Sequence, residues 1–111
     1  MEKLVVLWKS NNLIDILEMI TPYILVSQRN GWWDEVEVII WGASQEIVAH
    51  NDEVRSRVKM MVNRKIKVHA CLKCAEDLDV VERLKSLGID VHYSGELLTE
   101  ILKSDAKLIT L

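Results

Sequence analysis

The sequence predicts an α/β fold, a three-layer α/β/α sandwich around a mainly parallel sheet of five strands. Short apolar runs alternate along the chain with longer segments whose apolar residues recur at helical spacing. Strands that alternate with helices pair in parallel and are joined by right-handed crossovers. The 111 residues, of which 50% are apolar, suffice for one core, so we expect one domain over residues 1–111.

Five strands are expected. The first, Leu4–Trp8, is a continuous apolar run, which is typical of a parallel strand buried on both faces. The others follow in order at Glu35–Trp41, Ile66–Cys71, Asp90–Tyr93 and Lys107–Leu111.

The first helix is expected to begin at a cap formed by Asn11 or Asn12 and to end at Gly31. Pro22 lies inside this segment. It either kinks one long helix or occupies the first position of a second helix capped by Thr21. The apolar stripe continues across the proline, so the pattern favours the kinked helix.

The later helices have recognisable starts and stops. Ser44 can cap a short helix, and Asn51 or Asp52 a longer one. A single helix is expected over Ala75–Leu87, where Gly88 ends it. A last helix is marked by apolar residues at helical spacing, namely Leu97, Leu98, Ile101 and Leu102.

The cysteines are the main functional signal. The chain has two, Cys71 and Cys74, and both lie where the third strand meets the following helix. Backbone N–H groups and the helix dipole favour an anion at such a turn, so a thiol there tends toward the thiolate. We therefore predict Cys71 and Cys74 as the catalytic residues, with Cys71 reacting first.

A pocket is expected beside these thiols, because ligands of parallel sheets bind beyond the carboxyl ends of the strands. Trp8 and Trp41 end the first two strands, and Gly42 follows. The two indoles either wall a pocket for the thiols or close the edge of the sheet. His69 lies two residues before Cys71 and so shares its face of the strand.

Cofactor and metal signals are weak. His69, Cys71 and Cys74 have the spacing of three zinc ligands, but structural zinc sites usually show a second pair of ligands. His50 and His92 stand alone in other elements, and there is no glycine-rich phosphate loop. We therefore predict no cofactor and no bound metal.

Charge and hydropathy exclude other classes of partner. The net charge is −3 and no basic cluster occurs, which argues against nucleic acid. No segment approaches the roughly 18 apolar residues of a membrane span. The chain begins without a signal-peptide pattern, so we expect a cytoplasmic protein. In the cytoplasm a close cysteine pair is more often catalytic, redox-active or metal-binding than a structural disulfide.

Several segments together resemble the DsrE/DsrF-like family, and the small YchN-like branch most closely. They are Asn30–Val36 (NGWWDEV), Ile39–Gly42 (IIWG) and Ala70–Ala75 (ACLKCA), with Leu4–Trp8 before them and Leu87–Ile89 after. Their order and spacing span the chain. Relatives often have glycine shortly after the cysteines, where this chain has Leu-Asp-Val at positions 78–80.

The resemblance implies a DsrE/F-like domain with strand order 4-3-2-1-5 that assembles into homotrimers or homohexamers. It also implies a sulfur relay, in which a cysteine after the third strand carries sulfur as a persulfide between donor and acceptor proteins. Cys71 matches that cysteine, whereas Cys74 has a counterpart only in some members. One of the adjacent Trp32 and Trp33 is expected at a subunit contact.

Three functions remain open from the sequence. The first is the sulfur relay, with Cys71 accepting sulfane sulfur and passing it to a partner. The second is a thiol-disulfide oxidoreductase that uses Cys71 and Cys74. The third is a non-catalytic oligomeric interaction module whose cysteines are incidental.

Overall fold

A single parallel sheet organises residues 1–111, all of which the computed structural model describes. Its strands are β1 (Lys3–Trp8), β2 (Glu35–Ile40), β3 (Lys67–Cys71), β4 (Asp90–His92) and β5 (Lys107–Thr110). They lie in the order β4-β3-β2-β1-β5, and every neighbouring pair is parallel. The predicted fold class and strand order are confirmed.

Helices fill the connections between these strands. They are α1 (Leu13–Asp15), a π-helical turn (Ile16–Ile20), α2 (Thr21–Arg29), α3 (Ser44–His50), α4 (Asp52–Asn63), α5 (Leu72–Asp77), α6 (Val81–Lys85) and α7 (Gly95–Leu102). Asn12 caps α1 and Asn51 caps α4, since each side chain accepts a hydrogen bond from a first-turn N–H. None of these helices has the length and apolar character that crossing a membrane requires.

The segment around Pro22 is one uninterrupted helical run, as the apolar stripe predicts. The run contains a π-helical turn immediately before Thr21. Proline has no N–H to donate inside a helix, and its ring crowds the preceding turn. The Thr21 hydroxyl donates to the Ile16 carbonyl at 2.8 Å and so partners one carbonyl of the widened turn. Thr21 therefore lies within the helical run and does not cap a second helix.

The prediction of one helix over Ala75–Leu87 is wrong. Two short helices, α5 and α6, occupy this region, and the chain turns between them. Asp79 adopts a positive φ of 56°, a left-handed conformation that ends a helix and that glycine adopts more readily. The break lets Val80 enter the core, where it is fully buried.

The two faces of the sheet are covered unequally. Right-handed crossovers from β1 to β4 place α1 to α6 on one face, and the reversal from β4 to β5 places α7 on the other. We call these the helix-rich face and the α7 face. The helix-rich face contains a cluster of 22 buried apolar residues, whereas the α7 face has three, Val5, Ile39 and Ile101. The α7 face therefore has room for polar side chains.

Candidate functional site

Cys71 and Cys74 lie together where β3 passes into α5. Cys71 is the last residue of β3 and the N-cap of α5, and Cys74 is the third residue of that helix. Cys71 is 5% exposed and Cys74 is half-buried, and both thiols are free. The predicted cysteine pair thus sits at a strand-to-helix turn, with the first cysteine shielded and the second more open.

The surroundings of Cys71 favour its thiolate. Burial raises the pKa of the Cys71 thiol, but backbone N–H groups of Cys74, Ser94 and Lys73 and the Cys74 thiol lower it, and the net pKa lies below the ordinary value. Because α5 has only six residues, nearby N–H groups rather than a long helix dipole supply this field. One of these N–H groups belongs to Ser94, which sequence reasoning missed and which lies between β4 and α7.

The start of α3 ties together the carboxyl ends of the three central strands. Ser44 is buried, and its hydroxyl donates to the carbonyls of Trp8 at 2.7 Å and Trp41 at 3.1 Å. Gln45 is also buried, and its Nε2 donates to the carbonyls of Ile40 at 3.2 Å and Cys71 at 3.1 Å. The sequence predicted Ser44 as the cap of α3, but Ser44 is the first residue of the helix and does not cap it. Its hydroxyl fixes strand ends instead.

The predicted tryptophan pocket does not form as one wall. Trp8 pairs in register with Ile40 and belongs to the cluster on the helix-rich face. Trp41 packs with the cluster on the α7 face and lines a hollow there with Gly42. Trp8 is fully buried, and its Nε1 donates to the Ser10 carbonyl at 3.0 Å. Trp8 is thus a core residue on the helix-rich face, whereas Trp41 lies on the α7 face, which is also the face of Cys71.

His69 lies on the α7 face within a row of polar side chains that crosses four strands. Its Nε2 is 2.8 Å from Glu37 Oε2, and Lys3 Nζ is 2.8 Å from the other oxygen of that carboxylate. On the other side, His69 Nδ1 is 2.9 Å from His92 Nε2. The hydrogen bond with His69 lowers the pKa of Glu37, burial raises it and Lys3 lowers it again, so that it reaches about 2.

This row was not predicted, and His92 is not the lone histidine that the sequence suggested. One signal was present in β2, where Glu37 lies between Val36 and Val38 and the only other charged residue is Glu35 at the start of the strand. A buried carboxylate needs a cationic or hydrogen-bonding partner, so its position predicts one on a neighbouring strand. The identity of that partner depends on strand register, which the sequence does not provide.

Chemically, the cysteine turn offers one thiol whose pKa is lowered and a second thiol three residues further along the chain. A thiolate attacks a sulfur–sulfur bond, and a neighbouring thiol can resolve the product. No acid–base pair or oxyanion pocket is needed for such an exchange. The arrangement is therefore suited to transfer between sulfur atoms.

Comparison with known structures places the chain among proteins of the same architecture. BT1422 from Bacteroides thetaiotaomicron, a conserved protein of unknown function, is 36% identical over 98% of this chain and 94% of that chain, with a TM-score of 0.95. YchN from E. coli is 11% identical with a TM-score of 0.71, and MTH1491 from Methanobacterium thermoautotrophicum, a protein of unknown function, is 16% identical with a TM-score of 0.73. Both of these alignments cover 100% of each chain.

No family model matches the chain, and no protein with a curated description matches it either. The identity to BT1422 shows common family membership, whereas the more distant likenesses show the fold alone. The chain therefore belongs to the family of BT1422 and has the DsrE/DsrF-like fold of YchN and MTH1491, which confirms the resemblance predicted from its motifs.

Proposed function

We propose that the protein is a sulfur-relay protein, in which Cys71 accepts sulfane sulfur as a persulfide and passes it to a partner. The single observation that carries the proposal is the place of Cys71, a free and largely buried thiol that ends β3 and forms the N-cap of α5, where backbone N–H groups favour an anion. The fold shared with YchN supports it, because Cys71 occupies the position that the family resemblance assigns to the sulfur-carrying cysteine.

The proposed transfer balances without an external oxidant. The Cys71 thiolate attacks the terminal sulfur of a donor persulfide, so that a new S–S bond forms as the donor's S–S bond breaks. The donor leaves as a thiolate, and its former terminal sulfur is now carried by Cys71. An acceptor thiolate then attacks that terminal sulfur, and Cys71 leaves as a thiolate stabilised by the same N–H groups.

The burial of Cys71 fits a carrier better than a general reductant. With 5% of the residue exposed, the side chain is shielded from most of the solvent, although it is not sealed from it. A persulfide held there would be protected until a partner docks against the turn. We further propose that the protein acts in the cytoplasm, where thiols stay reduced, and that it does so as a homo-oligomer.

A second candidate, thiol-disulfide exchange, is favoured by one observation, the place of Cys74 in the first turn of the helix that Cys71 caps. In a dithiol enzyme Cys74 would attack a mixed disulfide on Cys71 and release the substrate thiol. Both candidates use Cys71 as the first nucleophile. They differ in the product that accumulates, which is a persulfide in the relay and an intramolecular disulfide in the oxidoreductase.

The test is intact mass spectrometry of reduced protein after incubation with a small persulfide donor, before and after a thiol reductant. We expect a gain of one sulfur atom that the reductant removes and that peptide mapping assigns to Cys71. Cys71→Ser should abolish loading with little effect on stability, because serine is nearly isosteric. Cys74→Ser is the matched control, one helical turn away, and should load normally.

Three other outcomes would contradict the proposed sulfur relay. An adduct found on Cys74 alone would make Cys71 a packing residue and would overturn the relay. Loss of two hydrogen atoms, without added sulfur, would assign the protein to disulfide exchange. Thiols that stay inert until the protein is denatured would favour the non-catalytic module.

A further inference from the structure

Two imidazoles and a carboxylate converge at the end of the polar row on the α7 face. His69 lies on β3, and Asp90 and His92 lie on β4, where His69 pairs in register with Asp90. His69 Nδ1 and His92 Nε2 face each other at 2.9 Å, with the two rings nearly perpendicular at 88°. Asp90 Oδ2 lies 3.9 Å from the first nitrogen and 3.8 Å from the second.

The outer nitrogen of each ring has a partner that can only accept a hydrogen bond. His69 Nε2 faces the Glu37 carboxylate, whose ionised form Lys3 stabilises. His92 Nδ1 is 3.1 Å from the Tyr93 carbonyl. In a neutral imidazole one nitrogen carries the hydrogen and the other a lone pair. Both outer nitrogens therefore carry the hydrogen, and both inner nitrogens present lone pairs to each other.

Two lone pairs at this separation repel unless a positive charge lies between or beside them. We propose that His69 Nδ1, His92 Nε2 and Asp90 Oδ2 are ligands of a divalent transition metal ion of the zinc class. Two imidazoles with one carboxylate suit zinc and its neighbours better than magnesium or calcium, which prefer oxygen ligands alone. Three protein ligands leave one coordination position for water or a substrate group.

The outer partners match the usual surroundings of a metal site. Histidine ligands almost always donate their second N–H to a carboxylate or a backbone carbonyl, which fixes the tautomer and the ring orientation. Here Glu37 does this for His69, and the Tyr93 carbonyl does it for His92. Lys3 in turn holds Glu37. The whole row from β1 to β4 thus acts as an orienting support for the two inner nitrogens.

The distances require only small adjustments. Two nitrogens at about 2.0–2.1 Å from zinc in tetrahedral geometry are about 3.3 Å apart, so the histidines need to separate by about 0.4 Å. The Asp90 oxygen needs to approach by about 0.5 Å on the same geometry. Its side chain is 73% exposed, whereas that of His69 is 11% exposed. The mobile ligand thus lies on the solvent side, where an ion would enter.

This inference is independent of the proposed sulfur relay, and it departs from the sequence-based prediction of no bound metal. It also differs from the ligand set that the sequence suggested, since the Cys71 sulfur lies outside the group of mutually close ligand atoms.

The experiment is calorimetric titration of chelator-treated protein with zinc chloride, in a Cys71→Ser, Cys74→Ser background that removes competing thiols. We expect one zinc ion per chain. Asp90→Asn and His92→Asn change partly exposed side chains and should each weaken binding by at least about tenfold, and Glu37→Gln by about 10–100-fold. His50→Asn is the matched control, because His50 also faces a carboxylate, Glu46 at 3.3 Å, and should leave binding unchanged.

A shared proton between the two rings is the competing explanation, and imidazole nitrogen NMR separates it from a metal. Zinc should shift His69 Nδ1 and His92 Nε2 while the outer nitrogens keep their hydrogens. The proposal is overturned if the unmodified site binds zinc no more tightly than the His92→Asn protein does. An imidazole pair whose nitrogen signals do not respond to zinc would also overturn it.

Discussion

Gly88 joins α6 to β4, and replacing it with alanine should destabilise the protein through two separable terms. Its φ is 87°, a left-handed conformation that costs an L-residue about 1–2 kcal/mol. A Cβ at this position would lie 2.8 Å from Cγ1 of Val62. Val62 lies on α4, where a β-branched side chain has essentially one rotamer and cannot easily rotate away. Overpacking of this kind costs about 1–3 kcal/mol, so we expect a total loss of about 2–5 kcal/mol.

Urea unfolding followed by circular dichroism measures that loss, and two variants separate its terms. Gly31→Ala is the matched control, because Gly31 has a φ of 65° but a Cβ there would meet no neighbouring atom within 4 Å. It should lose only the backbone term. In a Val62→Ala background the cost of Gly88→Ala should fall toward that same value. If Gly88→Ala costs no more than Gly31→Ala, the tight contact between α4 and the start of β4 is refuted.

Two further predictions concern assembly and the strand ends. Trp32 is 54% exposed and packs against Tyr23 with ring centroids 6.1 Å apart, so we propose that it lies at a subunit contact. Trp32→Glu should then lower the mass measured by light scattering from that of an oligomer. A wild-type protein that is a monomer at micromolar concentration would contradict this proposal. Gln45→Met keeps the side-chain volume but removes both hydrogen bonds to the strand-end carbonyls. The free energy of unfolding should therefore fall by about 1–3 kcal/mol. An unchanged urea midpoint would show that these hydrogen bonds contribute nothing to stability.

Most of the fold could be predicted because its signals are local. Apolar runs located the five strands, and apolar residues at helical spacing marked the helical segments between them. The alternation of strands with helices then predicted the parallel pairing of the strands. The break between α5 and α6 escaped this reasoning, because Asp79 adopts a conformation that its residue type does not require. Strand order came from the family resemblance, since nothing local specifies which strands become neighbours.

The same distinction between local signals and strand register applies to the residues of the candidate site. Cys71 and Cys74 are close in sequence, so their proximity could be predicted from the spacing alone. Trp8 ends β1 and Trp41 directly follows β2, but the register pairs Trp8 with Ile40, and the alternation of side chains then sends the two indoles to opposite faces. The meeting of His69 with His92 likewise depends on the register of β3 against β4.

The unequal cover of the sheet has a consequence for how such a protein can diversify. Its folding stability depends mainly on one side, where 22 buried apolar residues pack together, and much less on the side covered by α7. Side chains beneath α7 can therefore be exchanged, or new reactive groups introduced there, at a smaller risk of unfolding. A family built on this plan can change its chemistry on one surface while the opposite surface preserves the architecture.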